Sequence, residues 1–133
     1  MSHIPDMEMI DSDRVAIGWL HSDHPFPRGA VPPEFIARLK EFARRCGDSI
    51  EALGWGATGG FHTCEFCGKA WGTGSFGVPA GEKIFDAPQM IAHYVEQHGY
   101  APPAYFIAAV LACPLPGTAD YVRLAAPFKW SFN

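Results

Sequence analysis

Residues 63–68, Thr-Cys-Glu-Phe-Cys-Gly, are answered downstream by residues 93–98, His-Tyr-Val-Glu-Gln-His. Cys64 and Cys67 make a C-x2-C pair; after a gap of 25 residues His93 and His98 make an H-x4-H pair. A C-x2-C pair on a tight turn brings two thiolates within reach of one small cation, and two histidines near a helix end can complete a tetrahedral set. Ligand types and His spacing match a structural zinc site, although the intervening gap is about twice the usual dozen residues. Gly68 lets the backbone turn so that amide N–H groups can point at the sulfurs. Five helical positions subtend about 500°, which leaves His93 and His98 about 140° apart on an ideal helix. One ion therefore requires the last turn to loosen or tighten, and Gly99 directly after His98 makes such a change cheap.

Each proposed ligand has a plainer reading. The cysteines could be small buried residues, His93 a core histidine beside Met90, Ile91, Tyr94 and Val95, and His98 a cation at a helix C-terminus. Two further donors compete for places. His62 lies two residues before Cys64, on the same side of a strand, and Cys113 follows an apolar helix. A set of four protein ligands leaves no open coordination position, so the expectation is one structural Zn2+ and no catalytic residue.

Working outward from the cysteines, residues 69–85 alternate glycine with Trp71, Phe76, Val78, Ile84 and Phe85, and Pro79-Ala80-Gly81 separates two β-like runs. This predicts a hairpin. Asp86 is the expected N-cap of a helix over 88–98 that stops at Gly99. Pro102-Pro103 restarts the chain into a helix over 103–113 that is apolar nearly all round, and so predicted to be buried in the core or in a partner interface. The tail suggests a strand over 121–125. Upstream, Arg14–Leu20 reads as a strand and residues 21–33 as a proline-rich extended loop. Pro33 opens a helix to Cys46, with Phe35, Ile36, Leu39, Phe42, Ala43 and Cys46 in one apolar stripe and a stop at Gly47. Asp48 or Ser49 would cap a short helix to Leu53, and residues 54–60 form a glycine-rich connector.

The 133 residues suit one domain, with roughly 65–70% of the unfolded surface buried on folding. Hydrophobic content of 48% against 18% charged residues indicates a packed globule. The net charge of −4 provides no basic field to recruit nucleic acid or an anionic membrane. Residues 1–13 are acidic, lack the basic and apolar regions of a secretory signal, and are expected to be mobile. No apolar run is long enough to span a bilayer. These features predict a cytoplasmic chain whose C-x2-C pair binds metal in preference to forming a disulfide. The expected organisation is a mobile segment over 1–13 and a single zinc-binding α+β domain over 14–133. Within it, a zinc knuckle, β-hairpin and helix unit packs against two further helices.

The HTCEFCG and HYVEQHGYAPP stretches, with the upstream HPFPRGAVPPEFIARL, resemble a bacterial family of small cytoplasmic proteins of unknown function that carry a zinc-finger-type site. The likeness covers roughly residues 15–116. It implies zinc at Cys64, Cys67, His93 and His98 and no established activity. The hairpin-then-helix order is also similar to Cys2His2 fingers, but the longer gap departs from them.

Three function classes compete. A non-catalytic module acting through an unknown protein partner or a second copy of the chain fits the closed ligand set, the acidic charge and the apolar helix over 103–113. A nucleic-acid-binding finger is the alternative; its reading helix would need basic residues, and 86–100 has none, so nucleic acid is disfavoured. The one basic concentration, Arg38, Lys40, Arg44 and Arg45, reads as a solvated helix face. An enzyme would have to draw on His21, Asp23, His24 and His62, with Glu65 assisting. This order matches neither the deaminase nor the zinc-protease motif, and the HSDH cluster at 21–24 reads as surface loop.

Overall fold

The computed structural model describes residues 4–10, 12–48, 62–69, 71–72 and 75–128, with only the backbone of 46–48, 62, 71 and 72. It is an α+β arrangement in which a small mixed sheet is packed among helices. The sheet consists of β1 (Arg14–Ala16), β4 (Ser75–Ala80) and β5 (Lys83–Pro88) in the order β1-β5-β4. A separate two-stranded ladder, β2 (His62–Thr63) with β3 (Trp71–Gly72), carries the cysteine turn. The helices are α1 (Pro33–Asp48), α2 (Ile91–His98), α3 (Ala104–Ala112) and α4 (Ala119–Ala125).

The predicted hairpin forms between β4 and β5, with Ala80 paired to Lys83. Its turn is Gly81-Glu82, one residue beyond the expected centre. Gly81 takes φ 66° at the first connecting position, where glycine alone is unstrained. Nearly every residue of both strands is buried: α1, α3 and α4 pack against β4, and β1 flanks β5. Phe42 on α1 stacks on Phe76 at 5.7 Å, while Phe106 on α3 meets Phe85 at 5.4 Å and Phe35 at 6.1 Å. The α1 stripe is where periodicity places it: Phe35, Leu39 and Phe42 are fully buried, with Ile36 and Ala43 partly so.

Several boundaries differ from expectation for identifiable reasons. The first strand stops at Ala16 because Gly18 adopts φ 79° and turns its N–H to the Asp6 carboxylate at 2.9 Å. Helix α1 runs through Gly47 to Asp48. The proposed helix over 48–53 and the connector over 54–60 lie outside the described residues, apart from Asp48. Asp86 is not a helix cap. It is buried in β5, its carboxylate 3.3 Å from the Arg14 guanidinium across the parallel β1–β5 pair, and α2 begins only at Ile91. The tail predicted as a strand is instead α4. Thr118 caps it, its hydroxyl accepting from the Tyr121 N–H at 3.2 Å, and the Tyr121 hydroxyl donates to the Gly77 carbonyl at 2.6 Å.

The acidic N-terminal segment, read from composition as mobile, makes defined bonds over its described residues. Met7 and Ile10 donate to the carbonyls of Ala16 and Arg14, and Ala16 donates to Glu8, so 7–10 lies antiparallel beside β1. The Tyr100 hydroxyl donates to Asp6 at 2.6 Å, and burial and the Asp6 carboxylate push its ionisation far above the ordinary tyrosine value.

Candidate metal centre

Strand β2 ends at Thr63 and delivers Cys64 to the start of a tight turn. The Gly68 N–H donates to the Cys64 carbonyl at 2.8 Å, and Gly68 takes φ 69°, closing the turn around Cys64 and Cys67. The N–H groups of Phe66 and Cys67 reach back to the Cys64 sulfur. Cys64 is buried, at 1% exposure, whereas Cys67 is exposed.

The histidines come from the last two turns of α2. Gly99 ends that helix in the left-handed region, and its N–H bonds to the Tyr94 carbonyl five residues back, as does the Tyr100 N–H at 3.2 Å. By contrast, α3 and α4 close with bonds spanning four residues. The wider turn is a π-type loosening, and it swings residues five apart toward one side of the helix. His93 and His98 thus point their Nε2 atoms at each other at 3.2 Å.

The Cys64 sulfur lies 3.4 Å from His98 Nε2 and the Cys67 sulfur 3.4 Å from His93 Nε2. One donor atom from each of the four residues falls within 4.8 Å of all the others. Sequence separations of 26 and 34 residues are closed by these contacts. Burial pushes the Cys64 thiol above its ordinary value, partly offset by the amides of Phe66 and Cys67. Burial, then the proximity of His98, pushes His93 below the ordinary histidine value, which favours the neutral imidazole. A neutral imidazole is ready to ligate, and a buried thiolate needs a cation beside it. The arrangement can hold a metal ion.

The residues between the cysteines have their own partners. The Phe66 ring packs on Tyr94 at 5.8 Å, His98 at 5.4 Å and Phe26 at 5.3 Å. Glu65 accepts from the Ser22 N–H and hydroxyl at 2.9 and 2.8 Å; these bonds, then the nearby His21, hold its carboxyl below the usual range. The HSDH cluster is therefore a surface loop, as read, but one bonded to the cysteine turn. Ser22, Phe26 and Phe66 were missed by sequence reasoning, since contacts 43 residues apart leave no local signal.

Of the rival donors, Cys113 is buried away from the cluster. Its thiol donates to the Pro114 carbonyl at 3.2 Å, and burial pushes it up to about 11. His62, in β2, pairs through its backbone with Gly72 of β3, and its side chain is not among those described. The basic face of α1 is only partly solvated. Arg38 donates to the carbonyls of Val110 and Cys113, and Arg45 to that of Pro116 at 2.7 Å, stitching α1 to the end of α3. No helix among the described residues is long and apolar enough to cross a membrane.

Fold and site together define a small α+β domain with a Cys2His2-type donor cluster. The chain belongs to the family described as Domain of unknown function (DUF7919), whose model matches residues 3–111, a span that contains the whole cluster. No curated protein and no solved structure matches it.

Proposed function

We propose that this is a zinc-binding protein in which one structural Zn2+, held by Cys64, Cys67, His93 and His98, fastens the cysteine turn to α2. The observation that carries the reading is the spacing of the donors. A tetrahedral ion at the usual Zn–S and Zn–N distances holds S and N donors about 3.5 Å apart and two N donors about 3.3 Å apart. The distances here are 3.4 Å and 3.2 Å. The two-sulfur, two-nitrogen set suits zinc over hard cations, and four protein donors complete a tetrahedron.

On this reading the domain, spanning 14–133, is non-catalytic and works through protein contacts in the cytoplasm. The surface of α3 supports the contact role. Tyr105 is 77% exposed and Leu111 is exposed on a helix that carries no charged residue, while Val122 and Leu124 are exposed on α4. The test is native mass spectrometry with elemental analysis of the purified protein. One zinc per chain, whose removal by chelation unfastens the cysteine turn from α2 and lowers the melting temperature, is the expected result. A purified chain that is folded and has never held metal would overturn the reading. An unchanged melting temperature after chelation would remove the structural role.

A further inference from the structure

Residues 21–29, His-Ser-Asp-His-Pro-Phe-Pro-Arg-Gly, are exposed except at His21 and Phe26, yet they are fastened along their length. At one end Ser22 donates twice to Glu65, with His21 Nε2 3.6 Å from the same oxygen. In the middle Phe26 lies between the rings of Phe66 at 5.3 Å and Tyr100 at 5.9 Å. At the other end the Ala101 N–H donates to the Pro27 carbonyl at 2.9 Å and the Gly29 N–H to the Gly99 carbonyl at 3.1 Å. The partners fall in two groups. Glu65 and Phe66 are the two residues between the cysteine donors, and Gly99, Tyr100 and Ala101 directly follow the second histidine donor. Every one of these anchors lies within three residues of a donor of the cluster.

We propose that residues 21–29 form a metal-gated strap, docked only while the centre is loaded. The inference rests on the zinc reading above and extends it to a surface that contains no ligand. Hydrogen bonds to an exposed carboxylate are individually weak and hold a strap only when the carboxylate is presented in place. Glu65 is so presented when both flanking sulfurs share one ion with α2. Release of the ion frees the two-residue turn and the last turn of α2 together, so both ends of the strap lose their anchors at once. Pro25 and Pro27 restrict the undocked strap and reduce the entropy lost on docking. The strap also forms one wall of a cavity of about 240 Å³ lined in part by Asp6, Leu20, His21 and His24. Asp6, in the same lining, accepts from the Tyr100 hydroxyl and the Gly18 N–H. Metal loading therefore bears on that cavity through the strap.

The experiment is amide hydrogen exchange, read by mass spectrometry and NMR, on the full chain with zinc, after chelation, and on zinc-loaded Glu65→Ala. The reporting amides are Ser22, His24, Gly29 and Ala101, with the α1 amides as the internal reference. In Glu65→Ala we expect one zinc per chain by elemental analysis, unchanged α1 exchange, and at least tenfold faster exchange at Ser22 and His24. Chelated wild type should show the same acceleration at all four amides. Unchanged strap exchange, either in Glu65→Ala that retains its zinc or in chelated wild type, would overturn the strap and leave the zinc reading standing. A wild-type protein without zinc overturns both. Chelation that accelerates the α1 amides as much as the strap amides, as unfolding of the whole chain would, also overturns the strap as a separately gated element.

Discussion

The Gly99 N–H reaches past the usual four-residue partner to the Tyr94 carbonyl, five residues back, with Gly99 itself at φ 70°. That single widened turn allows His93 and His98, also five apart, to face one another. A Cβ at Gly99 would meet open space, so the requirement for glycine is purely one of backbone conformation. Gly99→Ala should cost about 1–2 kcal/mol, the penalty for a left-handed alanine. The same strain should weaken zinc binding up to about tenfold. Gly99→Asn should recover most of both, because asparagine tolerates this region. Competition titration with a chromophoric chelator checks the affinity, and an equal affinity for alanine and wild type would separate the turn from the centre.

Gly18 presents the opposite case. It combines φ 79° with a wall: an added Cβ would stand 2.6 Å from Ile91 Cδ1 and 2.8 Å from its Cγ1. Gly18→Ala should lose about 1–2 kcal/mol to conformation and about 1–3 kcal/mol to overpacking against the start of α2. Ile91→Val removes the nearest atom, so the double variant should be less destabilised than the sum of the singles. Urea denaturation of the four proteins measures this coupling, and strict additivity would contradict the contact.

Thr118→Ala should destabilise the chain by about 1 kcal/mol, the usual cost of an N-cap. The loss should fall on α4 and on the Tyr121–Gly77 bond that anchors it. Thr118→Ser should restore stability. An alanine variant as stable as wild type would mean that packing of Tyr121 alone holds the helix.

Glu41 is bonded by Arg44 and then Arg45, which lower its carboxyl from 4.5 to about 2. Its folded value lies below its unfolded one, so the contribution to stability is present above about pH 4.5 and is lost as pH falls through about 2. A carboxylate NMR titration should give a midpoint near 2 for Glu41. Glu41→Gln should flatten the stability profile in that acid window and leave neutral pH as the region of largest difference. A midpoint at the ordinary glutamate value would show that the arginines are held by other partners.

The parts of the fold legible in sequence were those with local causes. The α1 stripe, the β4–β5 hairpin, Gly99 as a helix stop and the two donor pairs all follow from periodicity or spacing within one segment. The misreadings had long-range causes or competing local ones. Asp86 looks like a cap because Pro88 follows, but Arg14, 72 residues away, draws it into a strand. Tyr121–Ala125 carries strand-like residues, yet Thr118 at the correct offset starts a helix, and that threonine was the available signal. The α3 helix, predicted to be buried in the core or in a partner interface, buries Phe106 and Val110 and leaves Tyr105 exposed, a division its uniformly apolar sequence does not mark. That the last turn must loosen or tighten near Gly99 was legible from the five-residue His spacing. The bonding of Ser22 to Glu65 was not, because nothing within either segment points to the other.

The pairing of residues 7–10 with β1 has a consequence for how copies of this protein behave beside one another. A strand at a sheet's rim offers a row of unpaired amides and carbonyls, which is a template for any passing chain. Here the Met7 and Ile10 amides and the Glu8 carbonyl occupy that row. The acidic segment is thus a stopper: trimmed back to residue 10, the chain would expose β1 as an adhesive rim and would at the same time take Asp6 from the Gly18 amide and the buried Tyr100 hydroxyl.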